Sequence, residues 1–235
     1  MSDLPTVKQL RDWGAHFGHL RKVMHPSFKP YVLEVREKIV LIDPQKSISQ
    51  LKKAIDFLKK NNDKSFLWVG TKVIVKNLVE EVAKELGHAY ITEKWLGGML
   101  TNFETSKKNL QTMESLKSQE ASEEFKELTK KEKGIITKKR EKLEKVLVGL
   151  ANLKQIPDIM IVVDPNFEHI AISEAKTKGL KVVGLCDVSS NLWQIDYPIP
   201  MNDDSRLALT GILEILAKTF QSDFKFKKDI KVKKS

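Results

Sequence analysis

The chain has 235 residues, of which 41% are hydrophobic and 31% charged, with a net charge of +10 and a single cysteine. A core of useful size is within reach of that length, whereas one cysteine excludes an internal disulfide and any Cys-rich zinc cluster. No apolar run approaches the roughly twenty residues of a membrane-spanning helix, and the start MSDLPTVKQLRDWG lacks the apolar segment of a secretory signal, so no membrane partner and a cytosolic or organelle-interior location are expected.

Charge is distributed by region. Residues 8–38, 39–103 and 104–154 are each net basic, residues 155–224 carry −5, and the last eleven residues carry +5. Of the 41 bases only 5 are arginine. Lysine meets phosphate as a point charge and is a poor bidentate reader of base edges, so a polyanion recognised by shape and backbone is the natural partner.

The stretch GAHFGHLRKVMHP (14–26) holds three of the five histidines. His16 and His19, three apart, would share a face on a helix at metal-ligand distance. No cysteine, fitting third histidine or HExxH-type carboxylate accompanies them, and no serine or cysteine nucleophile stands nearby. With Arg21, Lys22, Lys29 and the glycines, the segment reads as a flexible cationic arm whose imidazoles donate to phosphate or ribose, anchored by Phe17 and Phe28.

From Ile39 a strand-then-helix rhythm begins. IVLID (39–43) is a short apolar strand, Asp43 caps a helix with Pro44 at its first position, and Ile48, Leu51, Ile55 and Leu58 form its stripe up to Asn61-Asn62. FLWVG (66–70) is the next strand. Its Gly70-Thr71-Lys72 exit matches neither GxxxxGK[ST] nor GxGxxG, so it reads as a tight turn with Thr71 as a cap and Lys72 available to phosphate. Val75, Leu78, Val79, Val82 and Leu86 make the following helix, closed by Gly87, and HAYI (88–91) is a third strand.

WLGGMLTN (95–102) pairs glycines with Lys94 and Trp95, which suit either core packing or contact with RNA through charge and stacking. Asn102 ends that run, and Lys107 and Lys108 beyond it join the candidate RNA contacts. Residues 104–154 contain no strand-like run. Leu110, Met113 and Leu116 mark one helix, Ser118–Ser122 a turn, and the capping box Thr129-Lys130-Lys131-Glu132 opens a second helix with Ile136, Leu143, Val146, Leu150 and Leu153 on its seam. An α-helical coiled-coil hairpin inserted in the body is expected.

The rhythm resumes with DIMIVVD (158–164), a helix from about Glu168 to Lys178 closed by Gly179, KVVGLCD (181–187) with Cys186 as a buried packing thiol, and YPIP (197–200) as a strand end or edge. Asn202-Asp203-Asp204 announces a last helix carrying Leu209, Ile212, Leu213, Leu216 and Phe220. Asp164, Asp187 and Asp203 thus follow strands, where carboxylates serve magnesium or acid-base chemistry in an enzyme binding a nucleotide or divalent ion, and cap helices or shape turns elsewhere. The whole is an α/β protein: a mostly parallel sheet flanked by helices on both faces, built from residues 1–103 and 155–224, with the hairpin at 104–154 and a basic tail at 225–235.

The runs HFGHLRKVMHPSFKPYV, LIDPQKS, WVGTK, KWLGGMLTNF, KLEKVLVGL, IPDIMIVVDPNFEHIAISEA and IPMNDDS, in that order and spacing, resemble bacterial-type small-subunit ribosomal protein two from about Leu10 to Phe220. The chain departs from that pattern at Met24-His25, Val73, Cys186–Ser189 and Met201. The resemblance implies a non-enzymatic component of the small ribosomal subunit without a cofactor, contacting small-subunit rRNA and other small-subunit proteins, including the large first protein, and not a stable homo-oligomer. It also implies a parallel-sheet domain with an inserted coiled-coil hairpin.

Overall fold

The computed structural model describes residues 4–151 and 153–227; residues 228–235, the larger part of the expected basic tail, lie outside them. Its centre is a five-stranded parallel sheet of β4 (Phe66–Val69), β5 (Ala89–Ile91), β6 (Ile159–Val163), β7 (Lys181–Cys186) and β8 (Tyr197–Pro200), in the order β5-β4-β6-β7-β8. β8 is an edge, where Pro198 and Pro200 withdraw no donor from a ladder that needs one on both sides. Every residue of β4, β5 and β6 is buried, as continuous apolar runs require of strands covered on both faces.

Alternation along these strands divides the core in two. Phe66, Trp68, Ile161, Val163, Val183 and Leu185 pack with α2 (Pro44–Lys60), α3 (Lys76–Glu85) and α8 (Arg206–Ala217). Leu67, Val69, Met160, Val162, Val182 and Cys186 face the other way, onto α7 (His169–Thr177) and the feet of α4 (Phe103–Glu120) and α6 (Lys130–Leu147). Cys186 is buried as expected, its thiol pushed up by burial.

Local rules hold at the helix ends. Asp43 accepts from the amides of Gln45 and Lys46 ahead of Pro44, and Gly87 and Gly179 stand at positive φ after α3 and α7. Thr129 and Glu132 exchange both bonds of the capping box that opens α6. Between β5 and β6 the insertion runs α4, then α5 (Glu123–Glu127), then α6, and α4 packs along α6 through Leu110, Met113 and Leu147. α4 continues to Glu120, so the turn is shorter than Ser118–Ser122, and α5 uses Ser122 as its N-cap.

Two corrections concern the N-terminal third. IVLI is not a member of the parallel sheet. It is β3 (Ile39–Ile42), the centre of a separate antiparallel sheet in the order β1-β3-β2, with β1 (Phe17–Leu20) and β2 (Val32–Arg36). A four-residue apolar run does not reveal its partners, and here Ile39 is exposed while Val40 and Ile42 are buried against the second core. The cationic arm is therefore structured, and the unexpected α1 (Val7–Asp12), opened by a Thr6–Gln9 capping box, precedes it.

Candidate functional site at the strand ends and the basic surface

In an open parallel sheet, ligands settle beyond the carboxyl ends of the strands where the strand order reverses, because adjacent loops there diverge to opposite faces. The reversal lies between β4 and β6. Their exits supply Lys72 and Asp164, the exit of β7 supplies Asp187, and that of β8 supplies Asp203 and Asp204. Lys72 Nζ lies 2.5 Å from Asp164 Oδ2, 3.1 Å from Asp204 Oδ1 and 3.5 Å from Asp203 Oδ2. β1 brings in His19, whose Nδ1 meets Asp187 Oδ2 at 2.5 Å and whose Nε2 meets Asp204 Oδ2 at 3.0 Å.

Four carboxylates thus share one lysine and one imidazole. Burial pulls the Lys72 ammonium toward its neutral form, but the bond to Asp164 and the charges of Asp203 and Asp164 outweigh it and hold it far above the usual lysine range. His19 is raised in the same way, burial being overcome by the Asp187 charge and hydrogen bond. Burial, then the nearby Asp164 charge, pushes Asp203 up to about 8, so this carboxyl keeps its proton at neutral pH. Burial also raises Asp187. Asp187 Oδ1 and Asp203 Oδ1 are buried without a hydrogen-bond partner.

Such a site repels phosphate. Lys72, expected to be available to phosphate, is spoken for by three carboxylates, and only a quarter of its side chain reaches solvent. Thr71 is no helix cap either: its amide and hydroxyl both donate to Glu168 Oε1, at 2.8 and 2.6 Å, and Ser205 rather than Asp203 or Asp204 caps α8. Among the described residues no group of three or more His, Cys, Asp or Glu is arranged to hold a metal ion.

His16 and His19 do not share a helix face, since β1 is extended. His16 lies against Phe17, with ring centroids 4.0 Å apart; its Nδ1 is buried without a partner, and burial followed by the Arg11 charge lowers its pKa, keeping it neutral. Between the two histidines, Gly18 lets β1 press onto the end of β7: a Cβ there would stand 2.5 Å from Val188 Cγ1 and 2.9 Å from the Val40 carbonyl. His19 reaches Asp187 only because nothing fills that gap.

WLGGMLTN has an internal anion. Glu174, buried on α7, accepts from Trp95 Nε1 at 3.0 Å and the Gly98 amide at 2.7 Å on Oε1, and from the Leu100 amide, the Thr101 amide and the Thr101 hydroxyl at 2.9, 3.0 and 3.0 Å on Oε2. Gly98, at φ +91°, turns its amide into this nest. Burial opposes the charge, but the bonds from Thr101, Trp95, Gly98 and Leu100 prevail and hold Glu174 below the usual carboxylate range. Of the two roles open to Trp95, the structure shows packing: the indole is buried in the second core. Sequence spacing carried no sign of Glu174, which lies more than seventy residues from the loop it organises.

The remaining candidate residues are on the surface, in two groups. Arg21, Lys22 and Lys29 are exposed on the short turns after β1 and before β2. Lys94 and Lys108 are exposed near the base of the insertion, where Asn102 ends in a turn accepting from Thr105, and Lys107 pairs with Glu104 while lying over the Phe103 ring.

The model of the family Ribosomal protein S2 matches residues 10–222. The small ribosomal subunit protein uS2 of Cytophaga hutchinsonii is 40% identical over 240 residues, covering 97% of this chain and 94% of its own. That of Petrotoga mobilis is 40% identical over 91% of this chain and 74% of its own, and that of Nitratiruptor sp. 39% identical over 85% and 76%.

Proposed function

The chain belongs to the Ribosomal protein S2 family, and from that premise we propose that it is a structural constituent of the small ribosomal subunit, acting in translation by binding rather than by catalysis. The observation that carries the non-catalytic part is the strand-end cluster. At the place where an α/β enzyme would receive a nucleotide, Lys72 and His19 are already saturated by the chain's own carboxylates, and the surrounding charge is negative.

Its rRNA contacts are assigned to the exposed cations Arg21, Lys22, Lys29, Lys94 and Lys108, with Asn102 and Lys107 beside them; His16 and His19 support the N-terminal group from behind, and Lys72 and Trp95 hold the frame. Lysine-to-phosphate contacts supply affinity, release counterions and make binding salt-dependent. Neighbouring small-subunit proteins, among them the large first protein, complete its surroundings, and it works as a single copy in the cytoplasm or the equivalent organelle interior. Sedimentation of a lysate through a sucrose gradient tests this reading: the protein travels with small subunits at low salt, and its absence from those fractions refutes the assignment.

A further inference from the structure

At the exits of β4, β5 and β6 lies a cavity of about 270 Å³ whose wall includes Thr71, Lys94, Trp95, Phe167, Glu168 and Ile170. It shares two strand exits with the aspartate cluster but belongs to the side of α7 and the glycine-rich loop, since Trp95 is part of the second core.

The wall divides by chemistry. Phe167 and Ile170 are 56% and 48% exposed, although both are large and apolar. The Trp95 indole is buried and its N–H is committed to Glu174, so Phe167 is the ring left free to stack. Glu168 is only 4% exposed. The Thr71 amide and hydroxyl hold its Oε1, which leaves Oε2 without a hydrogen-bond donor among the described residues. Such an oxygen in a cavity wall calls for an N–H from whatever enters. Of the charged residues beside it, Glu93 is answered by Lys76 at 3.0 Å and Lys145 at 3.7 Å, whereas Lys94 is exposed and has no acidic partner among the described residues.

An occupant must therefore bring a flat face for Phe167, an N–H for Glu168 and a negative charge for Lys94. A nucleotide whose base carries an exocyclic amine brings all three. An arginine from another protein meets the first two demands but is repelled by Lys94. One stacked ring and one cation hold a free nucleotide only at about the millimolar level, whereas a nucleotide within an RNA already held by surface lysines arrives at high effective concentration.

We infer that this cavity receives one unpaired, amine-bearing nucleotide of an RNA, its base stacked on Phe167 and hydrogen-bonded to Glu168 Oε2, its phosphate at Lys94. This deepens the reading of the chain as an RNA-binding small-subunit component and rests on it. It adds a contact that reads a base to a surface otherwise matched to phosphate.

The test uses the full chain, AMP, and three RNA nonamers: uridines around a central adenosine, uridines throughout, and uridines around a central abasic site. At about 0.1 M salt the adenosine nonamer binds at least about fivefold more tightly than the all-uridine one, and AMP alone binds at about the millimolar level. Phe167→Ala weakens the adenosine nonamer about tenfold and the abasic one less than about twofold, and Phe167→Tyr restores binding. Glu168→Gln keeps an oxygen for Thr71 and turns an N–H₂ into the cavity, so the preference passes to uridine, whose carbonyl accepts it. Lys94→Gln weakens all three nonamers alike and lowers the log-log salt slope by about 0.7, one phosphate contact on a single strand. Lys52→Gln on α2 changes none of these. Melting curves confirm folding, and because Phe167 is exposed its two variants decide the matter even where Glu168→Gln does not fold.

Equal binding of the adenosine and uridine nonamers by the wild type, or an unchanged preference in folded Glu168→Gln, overturns the inference. So does micromolar binding of AMP, which marks a site for a free nucleotide, or an arginine-rich nonapeptide that outcompetes the adenosine nonamer. Gradient sedimentation separates it from the broader reading. Wild-type protein found with small subunits alongside equal binding of the nonamers refutes the cavity alone; wild-type protein absent from small subunits refutes the function itself.

Discussion

Glu174 and Asp203 are both carboxylates with little access to solvent, and their surroundings drive them in opposite directions. Glu174 accepts five hydrogen bonds and is held ionised. Asp203 shares one lysine with Asp164 and Asp204, keeps one oxygen without a partner, and holds its proton to about pH 8. Deeper burial, a neighbouring Asp164 charge and a poor supply of donors make Asp203 a strained neighbour, whereas five donors make Glu174 a fastener.

The contrast is broken most strongly from the Glu174 side. Glu174→Ala leaves the Gly98, Leu100 and Thr101 amides and the Trp95 indole without their acceptor and destabilises by about 3–5 kcal/mol, water recovering part of the loss. Urea unfolding shows this as a lower midpoint, and hydrogen exchange shows residues 95–101 opening first. Glu174→Gln, which keeps one acceptor oxygen, falls between. Because the folded pKa of Glu174 is depressed, its contribution is complete above about pH 4.5 and fades as pH falls through the folded value, so the wild type and the alanine variant converge in acid.

Lys72→Met removes the cation from the other site. Asp164 and Asp204 then lose their cation beside a protonated Asp203, and stability falls by about 2–4 kcal/mol at pH 7, less at pH 4 where protonation relieves the repulsion; melts at the two pH values measure the difference. Gly18→Ala pushes β1 off Val188 and the Val40 carbonyl, costs about 1–3 kcal/mol and lengthens the His19–Asp187 bond, visible as a lower His19 titration midpoint by NMR.

Asp203→Asn sharpens the comparison in the opposite sense. The folded chain retains a proton that the unfolded chain releases near pH 4, so wild-type stability declines from about pH 4 to about pH 8 through this group. The asparagine variant lacks that decline, so its stability relative to wild type is higher at pH 8 than at pH 5. Charge reversal at Arg21 and Lys22 should have the smallest effect on stability, within about 0.5 kcal/mol, because both are exposed on a turn, while incorporation into small subunits drops. A large loss of melting temperature there would mean that these side chains hold the fold.

Much of the body was legible from sequence because its signals are local. Periodicity, the Asp43-Pro44 start, Gly87 and Gly179 stops and the Thr129 capping box each act within a turn of helix. The ordered motifs that resemble ribosomal protein two pointed to the family that the match over residues 10–222 establishes. By contrast, placing IVLI in the parallel sheet failed because a strand's partners are chosen by residues outside it, here β1 and β2.

The sequence alone determined that the chain alternates strands and helices about an apolar sheet, carries an inserted pair of charged helices, and places a lysine and four aspartates after strands. Only the tertiary structure decided that His19 and Lys72 meet those aspartates rather than phosphate, and that the glycine-rich loop wraps a glutamate of its own chain. The reason is distance along the chain: His19 and Asp187 are 168 residues apart, and a hydrogen bond over that span leaves no spacing for a motif to record.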